Sequence, residues 1–148
     1  MRLSTKGRYG ARAMLDLALH YGSEPTALKE IARRQEISER YLENIMTVLV
    51  ASGLATSVRG KRGGFMLART PKEIRLGDVV ASVEGSLAPV LCVNDPELCK
   101  RAEQCVTRDI WSRLKDSIED VLNSISLQDM VEMHDRKQGG KNRQMYFI

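Results

Sequence analysis

The stretch from Ser38 to Arg69, "SERYLENIMTVLVASGLATSVRGKRGGFMLAR", constrains the fold more than any other part of the chain. Leu42, Ile45, Met46 and Leu49 recur at i, i+3, i+4 and i+7, so one face of a helix is apolar. Ser38 stands as its N-cap, Glu39 lies at its positive end, and Gly53 is placed to end it in a left-handed conformation. Two strand-like pieces follow, "LATSV" and "GFMLAR", joined by a loop holding Gly60, Gly63 and Gly64. These glycines permit positive φ at a hairpin tip, and Arg59, Lys61 and Arg62 make that tip cationic. A capped helix that runs at once into a basic hairpin leaves few architectures open.

Two helices precede it. The spacing predicts the first over about Lys6–Tyr21, with Met14, Leu17, Ala18 and Tyr21 on its apolar face. After the turn "GSEPT", Thr26 is expected to cap a second helix, "ALKEIARRQ", that buries Leu28, Ile31 and Ala32. The link at Glu36–Ile37 is short enough for a helix-turn-helix. The outer face of the third helix carries Arg40, Glu43, Asn44 and Thr47, side chains able to hydrogen-bond base edges. Alone, that pattern equally describes a three-helix bundle with a solvated face. The hairpin directly after it favours a winged helix that binds double-stranded DNA, with the wing reaching the sugar-phosphate backbone or the minor groove. The expected fold is mainly α with a small β-hairpin wing, the winged helix-turn-helix occupying residues 1–72.

The charge distribution points the same way. Residues 1–75 hold 14 Lys and Arg against 7 Asp and Glu, whereas residues 76–148 hold 9 against 12. The net charge of +4 thus conceals a basic half suited to a polyanion. No run of about 18 apolar residues predicts a membrane span. The opening "MRLSTKGRYG" lacks the apolar stretch of a signal peptide, so a cytoplasmic location with reduced thiols is expected.

Residues 73–134 read as a connecting helix, a cysteine loop and a dimerisation helix. Leu76, Val79, Val80 and Val83 mark a short helix ended by Gly85. Trp111, Leu114, Ile118, Val121 and Ile125 form a heptad-like seam along a helix from about Thr107 to Asn123. A narrow seam suits a homodimer, because such readers bind paired half-sites, although the same stripe is able to pack on its own domain. "SLQD" at Ser126–Asp129 predicts a capping box opening a last short helix with Leu127, Met130 and Val131. The basic tail, residues 135–148, is expected to be disordered or weakly docked.

All three cysteines, Cys92, Cys99 and Cys105, fall in one loop. Their C-x6-C-x5-C spacing is neither that of a zinc ribbon nor that of a thioredoxin-like pair. Soft thiolates suit an iron–sulfur cluster or zinc, and Lys100, Arg101 and Arg108 nearby would offset thiolate charge or activate bare redox thiols. A loop without a metal or redox role is the remaining reading. Four ligands are the norm for zinc or a cluster, so three thiols imply a further donor. An enzyme is not expected: no histidine lies near the thiols in sequence, and no Gly-rich nucleotide motif or paired acid–base set stands out.

Taken together, "MRLSTKGRYG", "AMLDLAL", "ISERYLE", "SGLATSVRGKRGGFML", the three-cysteine loop and Trp111 closely resemble the Rrf-type winged-helix transcription regulators, and among them the IscR-like iron–sulfur cluster regulators. The resemblance covers about residues 1–133. It implies a homodimeric repressor or activator whose loop binds a two-iron two-sulfur cluster, with Cys92, Cys99 and Cys105 as ligands. It implies DNA contacts from the third helix and the wing, with Ser38, Tyr41, Glu43 and Arg59 at matching positions and Glu43 discriminating between promoter classes. Arg40 and Asn44 depart from the IscR-like residues, which implies a different operator preference. Where that group carries a histidine ligand, this chain has Arg108, and arginine, always protonated, is no ordinary ligand. Nitric-oxide-sensing relatives use a partner aspartate near the N-terminus, where this chain has Arg8. The fourth ligand is therefore unassigned, and a nitric-oxide, zinc or thiol-redox sensor of the same family is the alternative.

Overall fold

The computed structural model describes residues 2–146, with side chains described through residue 141. Its elements run α1 (Thr5–Leu19), α2 (Leu28–Gln35), α3 (Glu39–Ala51), β1 (Ala55–Val58), β2 (Gly64–Leu67), α4 (Leu76–Glu84), α5 (Val106–Asn123) and α6 (Leu127–Tyr146). This is the expected mainly helical architecture with an antiparallel hairpin, Ala55 pairing with Leu67 and Val58 with Gly64.

The third helix forms as its local signals require. The Ser38 hydroxyl accepts from the Tyr41 N–H at 3.3 Å, and Leu42, Ile45, Met46 and Leu49 are all buried. Gly53 takes φ +76° and turns the chain into β1. In the wing, Gly60 has φ +114° as expected, whereas Gly63 is not in the positive region. Gly63 is needed for space instead, since a Cβ there would strike the Val58 carbonyl.

Two expectations for the N-terminal helices fail for tertiary reasons. Tyr21 is 51% exposed, because α1 stops at Leu19 and the chain turns before that side chain reaches the core. Thr26 does not cap α2; Ala27 occupies that position without a side-chain bond. The backbone of Thr26 is engaged with Phe65, donating at 2.9 Å and accepting at 2.8 Å. That bridge adds a third short extended segment to the base of the wing.

One hydrophobic cluster joins residues on both sides of position 72, from Met14, Leu42 and Leu49 to Ile74, Val79 and Leu127. Two glycines allow α1 to press onto α4. A Cβ on Gly10 would lie 3.3 Å from Val83, and one on Gly7 would overlap the Glu84 carboxylate. Burying this contact offsets the helix propensity lost at each glycine, about 1 kcal/mol. The end of α5 returns to the core through Leu76 N–H to Ile125 carbonyl (2.8 Å) and Leu127 N–H to Ile74 carbonyl (3.0 Å).

The Ser126–Asp129 capping box forms, with the Ser126 N–H donating to the Asp129 carboxylate at 2.8 Å and the Asp129 N–H to the Ser126 hydroxyl at 3.1 Å. These bonds hold the Asp129 carboxyl below its usual range, the Ser126 backbone N–H contributing most. The helix they open is not short. It continues to Tyr146, through most of the tail expected to be disordered. Arg136, Lys137, Gln138 and Lys141 are good helix formers and no proline interrupts them, so propensity carries the helix past Gly139–Gly140. The last two residues of the tail lie outside the described residues.

Candidate nucleic-acid interface and thiol loop

Arg40, Glu43, Asn44 and Thr47 all lie exposed on the outer face of α3. Thr47 donates its hydroxyl to the Glu43 carbonyl at 2.9 Å. Val48 is 39% exposed, so this face combines polar groups with an apolar edge that sequence periodicity alone did not single out. Ser38 is exposed, but its hydroxyl is engaged as the cap. Tyr41 differs from the other expected contacts. It is half-buried and packs edge-on against Tyr9, ring centroids 5.7 Å apart.

That aromatic pair belongs to a buttress beneath the helix-turn-helix. The Arg12 guanidinium stacks over Tyr9 at 5.4 Å and donates to the Gln35 side chain at 3.3 Å and to the Gln35 carbonyl. Gln35 is the last residue of α2, so a cation meets that helix's negative end. Below it, Asp16 is 1% exposed and accepts from Arg34 through two bonds of 3.0 and 2.7 Å and from Gln35 at 3.1 Å. Hydrogen bonding to Asp16 also holds Arg34 above the ordinary arginine range. The turn itself passes through Glu36 at φ +54°, the one non-glycine residue with positive φ among the described residues.

At the wing, Arg59, Lys61 and Arg62 are all exposed. Arg62 makes a solvent-facing ion pair with Glu24 at 3.4 Å. Such exposed pairs are worth little. Together α3 and the wing offer hydrogen-bonding, apolar and cationic groups on two consecutive exposed elements.

The thiol loop leaves α4 at Gly85 and continues as three single 3-10 turns, Leu91–Val93, Pro96–Leu98 and Ala102–Gln104. Its start is tied to the first helix by Glu84, whose carboxylate accepts from the Ser4 N–H at 2.8 Å, the Gly7 N–H at 3.1 Å and the Ser4 hydroxyl. All three cysteines are free; Cys99 is exposed, Cys92 and Cys105 half-buried. The fold does not gather them with other donors: among the described residues, no group of three or more His, Cys, Asp or Glu is placed to hold a metal ion.

The donor chemistry nevertheless suits a soft metal or cluster on three corners. Cys105 stands at the N-terminus of α5, its sulfur 3.2 Å from the Thr107 hydroxyl. The first-turn N–H groups of Arg108 and Thr107 face that sulfur without closing a bond of cap geometry. The Thr107 hydroxyl foremost, then these amides, hold the thiol below its usual range. The expected cause, a neighbouring cation, is not the operative one. Arg108 instead directs its Nε to the Cys92 carbonyl at 2.9 Å. Lys100 and Arg101 are exposed.

Beyond the loop, α5 has no fully buried residue. Leu114, Ile118 and Ile125 of the expected seam are half-buried, while Trp111 and Val121 are exposed, as are Val106 and Ile110. No helix among the described residues is long and apolar enough to cross a membrane.

Comparison with known proteins places these features in context. The model of the Rrf2 family, described as an iron-dependent transcriptional regulator, matches residues 3–133. The chain is 39% identical over 148 residues to the HTH-type transcriptional regulator CymR of Bacillus subtilis, covering all of both chains. Among solved structures, T. potens IscR superposes with a TM-score of 0.77 at 44% identity, covering 93% of this chain and 91% of that one. The oxidised form of Staphylococcus aureus CymR gives 0.73 at 34% identity, covering 89% and 97%.

Proposed function

The chain belongs to the Rrf2 family of transcriptional regulators, and from that premise we propose a homodimeric, sequence-specific DNA-binding regulator whose cysteine loop senses iron–sulfur cluster status. The observation that carries the reading is the confinement of three free thiols to one loop that springs from the helix bracing α1. Cys92, Cys99 and Cys105 would hold the cluster, with the two-iron two-sulfur form as the specific proposal. When bound, such a group supplies a centre that responds to iron supply and oxidants. The chain's own part is to couple that loop to DNA. Ordering of the loop acts on α4 and, through Glu84, on α1, against which α3 is packed. DNA and loop occupancy then shift each other's affinity reciprocally.

On DNA, Arg40, Glu43 and Asn44 read base edges, Ser38 and Tyr41 set the helix that presents them, and Arg59, Lys61 and Arg62 engage the backbone or minor groove. Pairing through the exposed apolar residues of α5 supplies the two-fold symmetry that paired half-sites require.

Anaerobic reconstitution with iron and sulfide tests the sensor: a visible absorbance band that Cys92→Ala abolishes supports it, and no band refutes it. Arg59→Ala tests the wing, with the salt slope of operator binding falling by roughly 0.9 if one phosphate contact is lost. An unchanged slope counts against wing insertion. The lowered thiol of Cys105 and the lack, among the described residues, of three donors gathered at one point favour a second reading, a thiol-redox, nitric-oxide or zinc sensor; similarity to the oxidised CymR structure supports its redox form. Metal and sulfide analysis of protein purified without oxygen separates the two.

A further inference from the structure

We propose that Arg108 is the positioning residue of the thiol loop: its guanidinium staples the Cys92 backbone to the first turn of α5 and so holds Cys92 and Cys105 as a preformed pair. The inference deepens the sensor reading and rests on it for what the pair is used for.

The other hydrogen bonds within the loop are local, apart from the Asn94 amide donating to the Ser86 hydroxyl within the loop's first half. Val93 N–H reaches Val90, Leu98 reaches Asp95, Cys99 reaches Pro96, Ala102 reaches Cys99 and Gln104 reaches Arg101. Each closes one turn and none brings the loop's start to its end. Among the described residues, the Arg108 Nε to Cys92 carbonyl bond, 2.9 Å and partly buried, is the one hydrogen bond joining residues 86–99 to α5. It spans 16 positions, and Arg108 lies one turn past Cys105 on a helix that fixes its direction. The first turn of the loop, Leu91–Val93, also lies against α5, and the bond adds a directed polar tie to that contact.

Arginine suits this task for the reason that it cannot be a ligand: it is always charged and offers only donors. The carbonyl of Cys92 accepts the bond, which leaves the Cys92 thiol free. Cys99 is exposed, so the loop presents one held pair and one third thiol open to solvent.

Dibromobimane, which becomes strongly fluorescent once two thiols have displaced both bromides, reads the pairing directly. The test uses full-length, reduced, metal-free protein carrying Cys99→Ser, so that only Cys92 and Cys105 remain. Arg108→Ala is expected to slow bridging about fivefold, the scale of one charge-assisted hydrogen bond at a half-exposed site. Single-site alkylation of each cysteine by iodoacetamide should stay within about twofold, because the staple sets proximity rather than reactivity. Arg108→Lys, which keeps a cationic donor, should recover part of the bridging rate. Bridging at the unsubstituted rate in Arg108→Ala, a matching fall in single-site alkylation, or Arg108→Lys no better than Arg108→Ala would each overturn the proposal. Iron–sulfide reconstitution of the three-cysteine protein is read separately. Absence of a visible band alongside Arg108-dependent bridging would sink the cluster reading and leave the staple standing.

Discussion

Replacing Arg34 with Met removes the main partner of a carboxylate that is 1% exposed. Asp16 would keep only the Gln35 amide at 3.1 Å and His20, whose Nδ1 lies 3.7 Å from the carboxylate. Removing one member of a buried ion pair costs about 3–5 kcal/mol, because the remaining charge stays desolvated. The Arg34 side chain is 28% exposed, so water can enter where it stood, and about 2–3 kcal/mol is the expected loss after that discount. Urea denaturation at one fixed protomer concentration reads it as a lower midpoint with an unchanged slope. The double variant Asp16→Leu/Arg34→Met removes both charges and should lie within about 1 kcal/mol of the unsubstituted protein. Because the pair ties α1 to α2, operator affinity should fall with Arg34→Met and recover in the double variant. A single-variant loss below about 0.5 kcal/mol would refute the burial argument. So would a double variant as unstable as the sum of its parts, since coupled charges are not additive.

Three further outcomes follow from local geometry. Glu36 sits at φ +54°, so Glu36→Gly should be neutral or stabilise by up to about 1 kcal/mol, while Glu36→Val should cost about 1–2 kcal/mol in thermal unfolding. Asp129 is held below its usual range in the folded state; its contribution is therefore present above the unfolded value near pH 3.9 and lost as pH falls through the lower folded value. Asp129→Asn should flatten that acid limb of a stability-versus-pH curve, and an unchanged limb would contradict the capping role. Thr107→Ala removes the foremost group lowering the Cys105 thiol, so the midpoint of its alkylation-versus-pH profile in metal-free protein should move upward, with Cys99 as the internal reference. No movement would assign the lowering to the α5 amides alone.

Much of the fold was legible because its signals act over a turn or two. Ser38 capping α3, the four buried residues beneath it, Gly53 beyond it and the Ser126–Asp129 box each depend on neighbours within a few positions. Helical period and cap chemistry specify such features without reference to the rest of the chain. The α6 extension is the exception, where a tail expected to be disordered or weakly docked continues as helix through Gly139–Gly140.

The remaining features are set by partners far apart in sequence. Thr26 serves the wing rather than α2 because Phe65 claims its backbone. Tyr41 turns inward because Tyr9 stands beneath it. Asp16 is a buried ion-pair partner only because Arg34, 18 positions later, folds over it, and Glu84 braces an α1 terminus 80 positions earlier. The cysteine spacing identified a thiol loop, but spacing says nothing of which ends meet. Periodicity and caps are local free energies that the chain carries with it; which distant carbonyl Arg108 finds, and which carboxylate Arg34 neutralises, is decided only when packing has brought the helices together.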